Sequence, residues 1–281
     1  MKPILLVLTA ACALAQTPDV ATIMARVAEN QATAKEKRKE WVFHQKQLLR
    51  MHRGNGKIAR EERREYDVMP DEKGLKKELT KLDGKYERNG KYIAYDQPGF
   101  SYKEVDIDGD LINDMSNDMI GDQSRDGIGK NLFPLTPEEQ AKHTFRLVGI
   151  ESYRGRPVYR VAFEPKPQPK GHIEIETGTS LWKGEALIDA EEFQPVTIST
   201  SFAAKIPAAV KILLGTNLKG LGFSLAYQKF ADGVWFPVSY GGEFEVRAVF
   251  FYKRKISISM VNADFRRTDV ASKVAYAAEE K

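Results

Sequence analysis

The stretch Leu181–Phe202 reads LWKGEALIDAEEFQPVTISTSF. Trp182, Ala186 and Ile188 fall on one face of an alternating pattern. After the break DAEEFQP, Val196, Ile198, Thr200 and Phe202 do the same. A period of two belongs to strands, and a polar, proline-bearing break between two such runs makes a hairpin.

The same alternation recurs further along the chain. Phe244, Val246, Ala248 and Phe250 form one set, and Ile256, Ile258 and Met260 another. YRGRP, EPKPQPKG, ADGVWFP and YKRK supply turns between the strands. No long helical pattern intervenes, so parallel crossover units are not expected. The pattern predicts a mainly β protein, with a strongly curved, mostly antiparallel sheet close to a barrel.

Towards the N-terminus, Val20, Ile23, Met24, Val27 and Ala28 recur at helical spacing, predicting a helix over Asp19–Lys39 capped by Asp19. WVFHQKQLLRMH, the turn RGNGK and IAREERREYDV then form a hairpin, and KKELTKLDGKYERNGKYIAY another strand turning at Asp83-Gly84. The basic run Lys35–Arg64 reads as a solvated helix face followed by a polar hairpin.

The first residues, MKPILLVLTAACALAQ, have a charged start, a short apolar core and a small-x-small site at Ala13–Ala15. This predicts a signal peptide over residues 1–15 and an exported, periplasmic chain over 16–281. Lipoprotein anchoring at Cys12 is disfavoured, because Thr9 stands where an aliphatic residue is usual. Cys12 is the only cysteine, so the mature chain has no thiol chemistry. A net charge of +4, from 43 basic and 39 acidic residues, gives no reason to invoke nucleic acid.

DIDGDLINDMSND, Asp106–Asp118, has the look of a calcium loop. Counted from Asp106, however, the sixth residue is Leu111 and the twelfth Asn117, where an EF-hand loop wants glycine and a bidentate carboxylate. A helix capped by Asp108 or Asp110 is the better reading, with Leu111, Ile112, Met115, Met119 and Ile120 as its apolar stripe. Thr136, Pro137 and Glu139 mark a second short helix.

No catalytic constellation emerges. His44, His52, His143 and His172 lack ligand spacing, and no metal or cofactor is expected. There is no nucleophile elbow, P-loop or dinucleotide fingerprint. GTNLKGLG lacks the lysine-serine ending of a phosphate loop, and Asp189, Glu191 and Glu192 read as a polar turn.

LWKGEALIDAEEFQPVTISTSF, FADGVWFPVSYGGEFEV and FPLTPEEQAKHTFRLVGIESYRGRPVYRVAFEPK together resemble the outer-membrane lipoprotein-sorting (LolA-like) family of exported bacterial proteins. The resemblance covers Leu132–Arg267, and more loosely Trp41–Tyr95. It implies one domain: an unclosed antiparallel barrel wrapped around helices, with an apolar cavity for acyl chains. Its partners would be acyl lipid or lipoprotein, with transient contact to an envelope membrane.

Two features depart from the family pattern, a helical insert near 104–124 and an apolar flap near 203–222. In the flap, Ile206, Ile212 and Leu213 are flanked by Lys205, Lys211 and Lys219. The expected ligand-binding residues are Trp182, Phe202, Ile206, Ile212, Leu213, Phe244 and Ile258. A non-enzymatic binder of an apolar ligand is the first functional reading. An envelope interaction module with a filled core is the alternative.

Overall fold

A computed structural model describes residues 17–71, 74–118, 133–167, 182–203, 217–230, 233–248 and 252–268. The elements are α1 (Val20–Arg38), β1 (Trp41–His52), β2 (Ile58–Asp71), β3 (Gly74–Arg88), β4 (Lys91–Tyr95), α2 (Ile107–Asp118), α3 (Pro137–Gln140), β5 (His143–Tyr153), β6 (Arg156–Pro165), β7 (Trp182–Asp189), β8 (Pro195–Phe202), β9 (Asn217–Lys219), β10 (Gly222–Lys229), β11 (Trp235–Ala248) and β12 (Tyr252–Arg267).

The 12 strands among the described residues lie in one sheet, ordered β4-β3-β2-β1-β12-β11-β10-β8-β7-β6-β5, with β9 beside β11. Every pairing is antiparallel. Among the described residues β4 and β5 do not pair with each other, so the sheet is unclosed. The pairing of β1 with β12 joins the two ends of the chain, from Trp41↔Arg267 to His52↔Lys255.

The expected mainly β architecture with covering helices is therefore present. Its curvature follows from one buried cluster that holds Leu49 and Met51 of β1, Val161 and Phe163 of β6, and strands between them. Ile23, Met24 and Val27 of α1 and Ile112 and Met115 of α2 belong to the same cluster. A flat sheet could not bring strands so far apart in order onto the same two helices.

The register explains how the sheet bends. One lateral row crosses every strand of the main path: Tyr95, Gly84, Glu62, Leu49, Ile258, Gly242, Phe223, Thr200, Gly184, Phe163 and Phe145. Its three glycines each neighbour an aromatic residue. A Cβ at Gly84 would collide with the Tyr95 ring, and one at Gly242 with Phe223. One at Gly184 would meet the Ser199 carbonyl and the Phe163 ring. Aromatic side chains lie across the strands where glycine lets them approach, which permits tight bending.

α1 forms as its periodicity predicts. Thr22 N–H donates to the Asp19 carboxylate at 2.7 Å, and Ile23, Met24, Val27 and Ala28 are buried. Towards its far end Arg38 Nε donates to the Trp235 carbonyl at 2.6 Å. α2 also exists, but its cap is Asp106 rather than Asp108 or Asp110: Gly109 N–H donates to Asp106 Oδ1 at 3.1 Å. Asp108 is drawn away by Arg254 and Tyr252. Met119 and Ile120 of the expected stripe lie outside the described residues. α3 has the expected cap, with Glu139 N–H donating to Thr136 Oγ1 at 3.3 Å.

The expected turn at Asp83-Gly84 is not there. β3 runs through it, and the chain reverses at Asn89-Gly90, with φ of 52° and 79°. Asn-Gly tolerates positive φ at both places, as a two-residue hairpin requires. Gly84 serves Tyr95 instead.

Candidate ligand-binding face

A second lateral row on the inner face carries the chemistry. It reads Leu82, Arg64, Gln47, Met260, Tyr240, Leu225, Ile198, Ala186, Val161 and Leu147. From Met260 onward every member except the Tyr240 hydroxyl is apolar. At Gln47 and Arg64 the row turns polar and ionic. Along this row the inner face is apolar from β12 to β5 and polar at β1 and β2.

In the apolar part the structure joins several expected ligand-binding residues through one that the sequence reading did not select. Trp182 meets Phe202 edge-on at 5.6 Å between ring centroids, and meets Phe223 at 5.5 Å. Phe223 stacks on Tyr240 at 5.3 Å and meets Phe244 edge-on at 6.2 Å. Ile258 is buried in the same cluster. Trp182 and Phe202 are only half-buried, so this aromatic set runs from the core to its margin. Ile206, Ile212 and Leu213 lie outside the described residues. Phe223 had a signal of its own, since Phe223, Leu225 and Tyr227 alternate in GFSLAYQK.

At the polar end of this row the expected polar hairpin turns its charges inward. Arg60, Glu62 and Arg64 are 1–2% exposed. Arg60 Nη1 donates to Asp106 Oδ2 at 2.6 Å, and Arg60 Nε to the Tyr95 hydroxyl at 2.7 Å. That hydroxyl donates to Glu62 at 2.7 Å, and Arg64 Nε donates to Glu62 at 2.8 Å. The Arg60 guanidinium also lies 4.6 Å from the Tyr95 ring centroid. Buried charges persist when each finds an opposite charge and hydrogen bonds. Burial pushes the Tyr95 hydroxyl up, as does the neighbouring Glu62 carboxylate, so it stays protonated and can donate.

Beside this network runs an amide relay. Gln47 Nε2 donates to Gln45 Oε1, Gln45 Nε2 to Asn262 Oδ1, and Asn262 Nδ2 to the Pro237 carbonyl, each at 2.9 Å. Gln47 Oε1 and the Tyr240 hydroxyl are buried and make no hydrogen bond among the described residues.

Two further polar clusters flank the face. Asp189 accepts from Glu191 and Glu192 N–H at 3.1 and 2.9 Å and from Arg156 at 2.5 Å, fixing the expected polar turn. Burial would raise its carboxyl, but these donors hold it below the usual range. His143 is buried between the Glu139 and Trp182 carbonyls. No cluster of three or more metal-ligand side chains occurs among the described residues. None of the described helices is long and apolar enough to cross a membrane.

No family model matches the chain, and no curated protein matches it. Several solved structures are similar to the chain at low identity. A domain from Vibrio parahaemolyticus assigned to outer-membrane lipoprotein sorting matches with 9% identity and a TM-score of 0.40, covering 90% of this chain and 94% of that one. A LolA superfamily protein from Nitrosomonas europaea matches with 12% identity and a TM-score of 0.35, covering 89% and 96%. The Pseudomonas aeruginosa MucA/MucB complex matches with 11% identity and a TM-score of 0.23, covering 90% and 100%.

Proposed function

We propose that this is a non-enzymatic binding protein, exported to the periplasm, whose inner sheet face takes an acyl ligand, free or carried on a lipoprotein. The observation that supports it is the aromatic run from half-buried Trp182 and Phe202 through Phe223 to Phe244 and Tyr240. Apolar side chains left half-covered at the margin of a core are where an acyl chain gains most by burial. The test is extraction of protein purified from its native envelope, followed by mass spectrometry for acyl lipid, with uptake of a fluorescent fatty acid or lipopeptide alongside. Protein free of lipid that takes up neither probe rejects the reading.

A second reading, an interaction module with a filled core, is favoured by one specific observation. Ile23 and Val27 of α1 and Ile112 of α2 are fully buried in the same cluster as the sheet. Capture of an envelope protein by lipid-free material that refuses both probes would support it.

A further inference from the structure

We propose that the polar end of the acyl ligand seats at the Gln47 end of the inner row, and that it carries a hydrogen-bond donor, an amide N–H or a hydroxyl. This rests on the acyl-ligand reading above and specifies its headgroup.

The relay fixes what Gln47 can offer. The Pro237 carbonyl can only accept, so Asn262 must present its Nδ2 there and its Oδ1 to Gln45. Gln45 must then present Nε2 to Asn262 and Oε1 to Gln47. Gln47 must in turn spend its Nε2 on Gln45, leaving Oε1 as a buried acceptor whose direction cannot be reversed by flipping one amide. Gln47 is 3% exposed, so this acceptor is not satisfied by bulk solvent. Leaving a buried acceptor unmet is unfavourable, and only a donor relieves it.

Two neighbours on the same row complete the chemistry. Arg64 stands across from Gln47, and Tyr240 is separated from it by Met260. The Tyr240 hydroxyl, also without a hydrogen bond among the described residues, can donate to a carbonyl. Beyond it the row continues in apolar side chains, Leu225, Ile198, Ala186 and Val161 buried in the core cluster and Leu147 packed against it, and the acyl chain would enter between this row and the covering helices. A group with both N–H and C=O, the acyl amide, meets both ends of this arrangement. A simple ester offers the carbonyl and no donor.

The experiment compares N-methyldodecanamide with methyl dodecanoate, which differ at one position, N–H against O. Affinities are measured by displacement of a fluorescent fatty acid from the wild type, Gln47→Leu and Tyr240→Phe. The amide-to-ester affinity ratio, which cancels the chain, should fall about tenfold in Gln47→Leu. Tyr240→Phe should weaken both ligands alike, because both carry the carbonyl. Gln47→Met repeats the test if Gln47→Leu does not fold. An unchanged ratio in a folded variant that still binds the ester overturns the headgroup assignment and leaves the acyl-ligand reading standing. Binding of neither ligand by the wild type overturns both.

Discussion

Arg60 Nη1 lies 2.6 Å from Asp106 Oδ2, and each side chain is 1% exposed. The pair ties β2 to the start of α2, and Asp106 also caps that helix. Asp106→Ala therefore strands a buried guanidinium and uncaps α2. Urea unfolding should register a loss of about 3–5 kcal/mol. Asp106→Asn keeps a capping oxygen and should lose less. Equal losses in the two variants would show that the cap contributes nothing beyond the ion pair, and no loss in Asp106→Asn would show that the ion pair contributes nothing beyond the cap.

The same contacts bear on calcium. Asp106 is engaged by Arg60, and Asp108 by Arg254 at 2.9 Å and the Tyr252 hydroxyl at 2.8 Å. A cation would have to displace two guanidinium groups. Millimolar calcium should leave the melting temperature where matched ionic strength leaves it. A calcium-specific rise abolished by Asp108→Ala would restore the metal loop.

Trp182 and Ile258 should separate binding from folding. Ile258 is 3% exposed at the centre of the sheet. Ile258→Ser leaves a cavity and a hydroxyl in apolar surroundings, and should cost about 2–5 kcal/mol of stability. Trp182→Ala, at the half-buried margin, should reduce lipid-probe uptake with a smaller drop in melting temperature. If both variants lose stability equally, Trp182 is ordinary core.

His44 gives a pH signature. Its ring nitrogens lie 3.0 Å from Asp67 and from Glu65, and these hydrogen bonds raise its pKa above the ordinary 6.5. The folded state therefore holds the proton more tightly than the unfolded chain. The stabilisation is full below about pH 6.5 and is lost as pH rises through the raised value. The partners are partly solvated, so the amplitude should be no more than about 1 kcal/mol. His44→Gln should remove this decline from a stability-pH profile measured by denaturant titration, and an unchanged slope would assign the decline elsewhere.

The glycine row predicts a graded series. Gly184→Ala, whose Cβ would strike the Ser199 carbonyl as well as a ring, should destabilise more than Gly84→Ala, whose obstacle is the Tyr95 side chain. Backbone gives way less readily than a ring. Thermal unfolding of the pair checks the order.

How much of this was legible in the sequence depended on the range of the interactions. α1 was readable because Asp19 and the Ile23–Val27 spacing act within a few residues. β7 and β8 were readable because one face of each is buried, so alternation reports it. Burial of Arg60 was not readable. It is decided by Tyr95 and Asp106, 35 and 46 positions away, and the local sequence AREERRE resembles any wet strand. Gly84 misled for a related reason. Asp-Gly is a turn signal locally, but Tyr95 on the next strand claims the space above it. The apolar margin at Trp182 and Phe202 was visible, whereas the relay through Gln45, Gln47 and Asn262 requires knowing that β1 and β12 are neighbours.

The β1–β12 seam also sets a constraint on the order of assembly. Arg267 bonds Glu40 across 227 positions, while β1 to β4 can pair with near neighbours as soon as they exist. Closing so long a loop is entropically slow, so the seam is expected to zip last. Until it does, β1 presents an open edge, and the Gln45 and Gln47 amides lack the Asn262 that orients them. A chain released without its last strand would thus keep most of its hairpins, yet expose a sticky border where the finished protein has its most ordered polar contacts.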